Sequence, residues 1–174
     1  MFENLKNRIF EHRLKKQPPR NTSFPHYEKV KDILLIYESD IMEKNAAIKE
    51  IARKLQDEGK NVTTWGYVDR KDVSSPQLPN SRMAGKGDLS LTGAPNKKLT
   101  ADIQAAHYDM LIDLTQHRCL PLQYMAMVAN CSFKAGRHIV DGLHDLMIDA
   151  EPDENPNVLY KNIMHFLTTI KSND

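Results

Sequence analysis

The sequence predicts a Rossmann-like α/β domain: a doubly wound, mostly parallel sheet with helices on both faces, three layers in all. Three observations carry this. The runs "DILLIYE" (32–38) and "DMLIDL" (109–114) are aliphatic without polar alternation, as strands covered on both faces must be. A helical segment joins the first run to "NVTTWGYV" (61–68), so a βαβ unit, expected to be right-handed, fits within forty residues. The same alternation continues to the carboxyl end as β-α-β-(β)-α-β-α-β-β-α, with no internal repeat and no second domain.

Taken in order, Phe2, Leu5, Ile9 and Phe10 recur at helical spacing among basic residues, and Pro18-Pro19 stops the pattern. Residues 1–27 therefore read as a basic amphipathic helix and a linker, and 28–174 as the single α/β domain. The helix over 1–16 is expected to dock on its own domain, on a protein partner or on a second copy. An anionic membrane surface is the weaker alternative, because one short helix of modest charge anchors weakly.

Ser39 or Asp40 caps the helix after the first strand, and Asp40 with Glu43 has capping-box spacing. Ile48, Ile51, Ala52 and Leu55 give that helix one apolar face, and Gly59 stands where a helix-ending glycine belongs. Residues 69–100 are rich in Pro, Ser, Asn, Gly and Lys and read as a long surface excursion, with "DLSLT" (88–92) as a short edge strand. Its "AGKGD" lacks the spacing of a phosphate loop. Residues 17–26 and 74–87 are the expected first sites of proteolysis. Residues 119–131 form a helix apolar nearly all round, "SFKAG" (132–136) and "DLMIDA" (145–150) two short strands, and Asn155-Pro156 begins the last helix with a cap and a proline at its first position.

Lys plus Arg number 24 against 23 Asp plus Glu, an average that gives no support to a nucleic-acid partner. The charge is uneven: residues 1–20 hold six bases and two acids, net +4, which leaves −3 for the remainder. Two cysteines make no disulfide framework, and the amino-terminal stretch has no apolar signal core. With no apolar run near the ~20 residues of a transmembrane segment, the expected setting is cytoplasmic.

In such a sheet ligands bind beyond the carboxyl ends of the strands, where strand order reverses. If the first strand neighbours the 109–114 strand, Glu38-Ser39-Asp40 converges there with the polar knot Thr115-Gln116-His117-Arg118-Cys119, and Arg137-His138 lies along the same rim. Ser39, Asp40, Thr115, His117, Arg118, Arg137 and His138 are the candidate ligand-binding residues, for a small anionic ligand held at helix amino termini. Cys119 as a nucleophile with His117 or His138 as base is a further possibility, but His117 is only two residues away, and the thiol is expected to be structural. Cys119, Cys131, His138 and His144 are spaced too widely for a zinc finger, with one cysteine at each end of a helix; a partial site of His138, Asp141 and His144 is the residual metal option. No glycine fingerprint follows the first strand, so no dinucleotide cofactor is expected. Arg118 is expected to reach Asp113 or Glu38, and the knot to serve mainly as a helix start.

The stretch "YDMLIDL…CLPLQYMAMVANCSFKAGRH" resembles an uncharacterised family of short bacterial α/β proteins with the pattern D-x-L-I-D-L…L-P-L…A…F-K-x-G, from about residue 28 onward. More distantly it is similar to the amino-terminal lobe of heptosyltransferase-type glycosyltransferases, which run "YD-x-x-I-D-L", helix, then "a-x-x-r-i-G". That resemblance implies a counterpart of their glycine-aspartate motif in Ser39-Asp40, and an acceptor role for Asp40. It also implies that the sugar nucleotide would be held mainly by a second lobe, which 174 residues are too few to include. The function expected is a non-catalytic binding or interaction module on this scaffold. The alternative is a small enzyme or subunit, using His117, Arg118 and Cys119 on a phosphorylated or sugar-nucleotide ligand and completed by a partner chain.

Overall fold

The computed structural model describes residues 1–39, 43–73, 80–153 and 155–170. Among the described residues, six parallel strands form one sheet: β1 (Asp32–Glu38), β2 (Asn61–Tyr67), β3 (Ser81–Ala84), β4 (Tyr108–Asp113), β5 (Cys131–Arg137) and β6 (Leu146–Ile148). Their order is β3-β2-β1-β4-β5-β6, so the chain reverses direction across the sheet between β1 and β4. The α-helices of the described residues flank it: α1 (Phe2–Lys15), α2 (Glu43–Asp57), α3 (Lys97–Gln104), α4 (Leu120–Val128) and α5 (Pro156–Thr169).

The aliphatic runs explain the layering. Along β1, Ile33, Leu35 and Tyr37 enter one apolar cluster, with Ile48, Ile51 and Leu55 of α2 and Leu159, Ile163 and Leu167 of α5. Leu34 and Ile36 enter the other, with Phe10 of α1, Leu99 and Ile103 of α3 and Leu122 and Tyr124 of α4. Side chains alternate between faces, and both faces are covered, so every position of the strand must be apolar. β4 obeys the same logic, with Met110 and Ile112 on the α2/α5 side and Leu111 on the α1/α3/α4 side. This is the doubly wound, three-layer sheet the sequence predicts.

Helix ends follow their local chemistry. Gly59 has φ +80° just beyond α2, a left-handed conformation that costs a glycine little. Asn155 accepts from the Asn157 amide at the start of α5, with Pro156 at the first turn. Asn96 accepts from Leu99 N at 2.8 Å and starts α3. The capping box proposed for Asp40 and Glu43, and the proteolytic segment over 74–79, lie outside the described residues.

Two element assignments differ from the sequence reading. The edge strand is Ser81–Ala84, paired with Thr64–Tyr67, and not 88–92. An edge strand this short buries only Ala84, so it has no apolar alternation to advertise it. In 88–92, Leu89 makes a single antiparallel bridge to Pro95 while Leu91 is 90% exposed, which describes a turn. Cys131 opens β5 and does not close α4. The linker after α1 is also tied down: Arg20 donates to the carbonyls of Cys131 and Ser132 and pairs with Asp145 at 3.1 Å.

Candidate functional site

The register brings the carboxyl ends of the central strands together: Ile36 stands opposite Asp113, and Asp113 opposite Gly136. Asp113 is buried. Its Oδ1 accepts from Thr115 N at 2.9 Å, closing an Asx turn, and its Oδ2 accepts from His144 Nε2 at 2.8 Å. The pair is sealed, with side-chain exposures of 1% for His144 and 3% for Asp113. A Cβ on Gly136 would lie 2.7 Å from His144 Nε2 and 2.9 Å from Asp113 Cβ, so only glycine lets the two strands hold this pair between them.

The rest of the knot is built around that anchor. Gln116 gives its carbonyl to Arg137 Nη1 at 2.7 Å and its side-chain oxygen to Asp153 N at 3.1 Å. Arg137 Nε donates to the Ala150 carbonyl at 2.7 Å, so this guanidinium joins the end of β5 to the knot and to the segment before α5. His117 donates its backbone N–H to Glu38 Oε1 at 3.3 Å, with Nδ1 3.6 Å from Oε2. Ser39 donates its amide to Tyr67 O at 2.8 Å, and its hydroxyl meets Asn45 Oδ1 at 2.9 Å.

The sequence suggested that Arg118 reaches Asp113 or Glu38, and it reaches neither. It pairs with Glu11 of α1 at 2.6 Å, both side chains about two-fifths exposed (41% and 42%). Asp113 is sealed below the surface with His144, out of reach of a guanidinium two-fifths exposed, and Glu38 faces His117. Cys119 ends the knot just before α4. Burial above all, and then the neighbouring Glu38, Asp113 and Asp69 carboxylates, push its thiol up to about 12, so it stays protonated at neutral pH.

The cavity at this rim has a volume of about 880 Å³ and lies between the end of β1 and the end of β2. Glu38 and Cys119 border it on one side, Tyr67, Asp69 and Lys86 on the other, and Phe2 and Lys6 of α1 stand over it with Leu91. Tyr67 donates to Asp69 Oδ1 at 3.2 Å, and Lys86 lies 3.1 Å from Asp69 Oδ2. Burial and the Asp69 carboxylate push the Tyr67 phenol well above its ordinary range, so it remains a neutral donor.

Of the residues proposed from sequence, the structure brings Arg118 to the cavity wall, with His117 behind it on Glu38. Thr115 is buried, Arg137 holds backbone carbonyls, and His138 faces a smaller cavity of about 410 Å³, where it meets Asp141 at 2.7 Å. Asp40 lies outside the described residues. The partial metal site does not assemble, because His138 turns to Asp141 while His144 turns inward to Asp113; among the described residues no group of three or more His, Cys, Asp or Glu side chains is placed to hold a metal. Tyr67, Asp69 and Lys86 were missed. Tyr67 lies at the end of the second predicted strand and Asp69 directly follows it, and the same carboxyl-end rule that singled out Glu38 applies to them. Lys86 sits in the excursion, where no pattern pointed to it.

Residues 3–170 match the family described as "Family of unknown function (DUF6913)", and the chain belongs to it. No curated protein and no solved structure matches. No described helix is long and apolar enough to cross a membrane.

Proposed function

We propose that this DUF6913 chain is a non-catalytic binding module whose ligand occupies the cavity at the carboxyl ends of β1 and β2. The observation that carries the reading is the composition of that wall. Three carboxylates (Glu3, Glu38, Asp69), the Tyr67 ring and three cations (Lys6, Lys86, Arg118) border one space of about 880 Å³ beside the reversal of strand order. Carboxylates accept from hydroxyl groups, an aromatic face covers an apolar ring edge, and the cations suit a phosphate. A phosphorylated saccharide or sugar nucleotide combines all three, which agrees with the distant resemblance to the glycosyltransferase lobe. The ion pairs of Lys86 and Arg118 are surface pairs of little net strength, so both cations can turn to a ligand at small cost.

The second reading is a small enzyme, and Glu38 with His117 favours it. The imidazole is half exposed and 3.6 Å from a carboxylate at the cavity wall, an arrangement able to pass a proton. Titration calorimetry of the chain against sugar phosphates and nucleotide sugars, with product analysis after long incubation, separates the two. Binding without turnover, weakened at least tenfold by Glu38→Gln with an unchanged melting temperature, is the expected outcome. Turnover abolished by His117→Ala supports the enzyme reading and overturns the first.

A further inference from the structure

Helix α1 has two apolar sides, and the body of the molecule uses one. Phe10 is fully buried, 4.9 Å from the Tyr124 ring in an edge-to-face contact, and Leu14 packs on the same cluster. Leu5 points away from it at 53% exposure, with half-buried Ile9 four residues on, and Phe2, 65% exposed, stands at the edge between this side and the cavity. Residues three and four apart share a helix face, so these three form a stripe on the outer side. Arg8, His12, Arg13, Lys15 and Lys16 are exposed around it. Of the two acids of the helix, Glu11 is held by Arg118, and Glu3 stands at the cavity beside Phe2. Leu91, 90% exposed, borders that same cavity and adds a third large apolar side chain near the amino end of α1.

We propose that this face docks reversibly on an anionic lipid bilayer, with α1 lying in the headgroup plane. Its charge is the first argument. The net +4 of residues 1–20 against −3 for the rest turns this end of the molecule toward a negative surface. Its size is the second. A helix of 14 residues is ~21 Å long and ~10 Å wide, so its outer face offers roughly 200 Å², against about 800 Å² per partner in a stable protein interface. A bilayer needs no matched surface: Phe2, Leu5 and Leu91 enter the acyl boundary while the Lys and Arg stems lie along it and their heads reach lipid phosphates. One short helix makes this weak and salt-dependent.

The test is flotation of the full chain with vesicles of pure phosphatidylcholine or with 30% phosphatidylglycerol, at low and high salt. Binding to the anionic vesicles only, lost at about 0.5 M salt, is expected. Charge reversal of Arg8, Lys15 and Lys16 to Glu should weaken it at least tenfold, and Phe2→Ser with Leu5→Ser several-fold. All five positions are exposed, and melting temperatures should be unchanged. Equal binding to neutral vesicles, no binding to anionic ones at low salt, or indifference to the charge reversal overturns the proposal. So does a dimer, seen by light scattering, that Phe2→Ser dissolves, since the face would then belong to a second copy.

Discussion

Asp113 ends a run in which each residue before it is needed for packing, yet it is as deeply buried as they are. Its carboxylate is tolerable there because one oxygen accepts a backbone N–H and the other an imidazole N–H. His144→Ala removes the second partner and leaves an uncompensated buried carboxylate, so unfolding free energy should fall by about 3–5 kcal/mol in urea melts. Loss within ~1 kcal/mol would mean that water replaces the imidazole. Lys134 offers a pH test. It is 3% exposed, its ammonium held at 2.5 Å by the Ala126 carbonyl and at 3.2 Å by that of Met127. Burial brings its pKa down to about 8, against ~10.4 in an unfolded chain. Between these values the unfolded state binds more protons, so this group's contribution improves as pH rises through the window and worsens as it falls. The stability difference between the native chain and Lys134→Met should therefore shift in favour of the native chain by on the order of 2 kcal/mol from pH 7 to pH 10.5. A difference independent of pH would show that the lysine titrates normally.

At the scale of elements, α1 shows where sequence periodicity stops being informative. Phe2, Leu5, Ile9 and Phe10 were read as one apolar face. In the fold, Phe10 turns inward with Leu14, while Phe2 and Leu5 remain outside. Spacing alone cannot say which arc of a helix finds a partner, because the receiving surface on α4 comes from residues more than a hundred positions away. Phe10→Ala should cost about 3–5 kcal/mol in stability, measured by thermal or chemical denaturation, whereas Leu5→Ala should cost under ~0.5 kcal/mol. Comparable losses at both positions would place the two residues on one buried face. The strands β1 and β4 were legible because burial on both faces leaves no position for a polar residue. β3 was not, since a four-residue edge strand pairs through backbone groups that leave no mark on side-chain pattern.

For the whole molecule, the sheet order decides where chemistry can happen, and the order followed from two aliphatic runs read as central neighbours. The rim was legible for the same reason, but the sequence reading centred the site between β1 and β4, and the cavity lies between the ends of β1 and β2. Its wall was only partly so: Glu38 and Arg118 stand near it, but the partners of Asp113 and Arg118 come from His144 and from α1, contacts across distant segments that no local spacing encodes. The proposed binding module holds a small polar ligand between Glu38 and the Tyr67–Asp69–Lys86 chain. The most direct measurement of this is an amide NMR titration of the full chain with a panel of sugar phosphates and nucleotide sugars. Saturable shifts at Glu38, Tyr67, Asp69, Lys86 and Arg118, lost in Glu38→Gln, are the predicted result. Saturable shifts confined to other residues, such as His138 and Asp141 at the smaller cavity, or shifts unchanged in that variant, would contradict it.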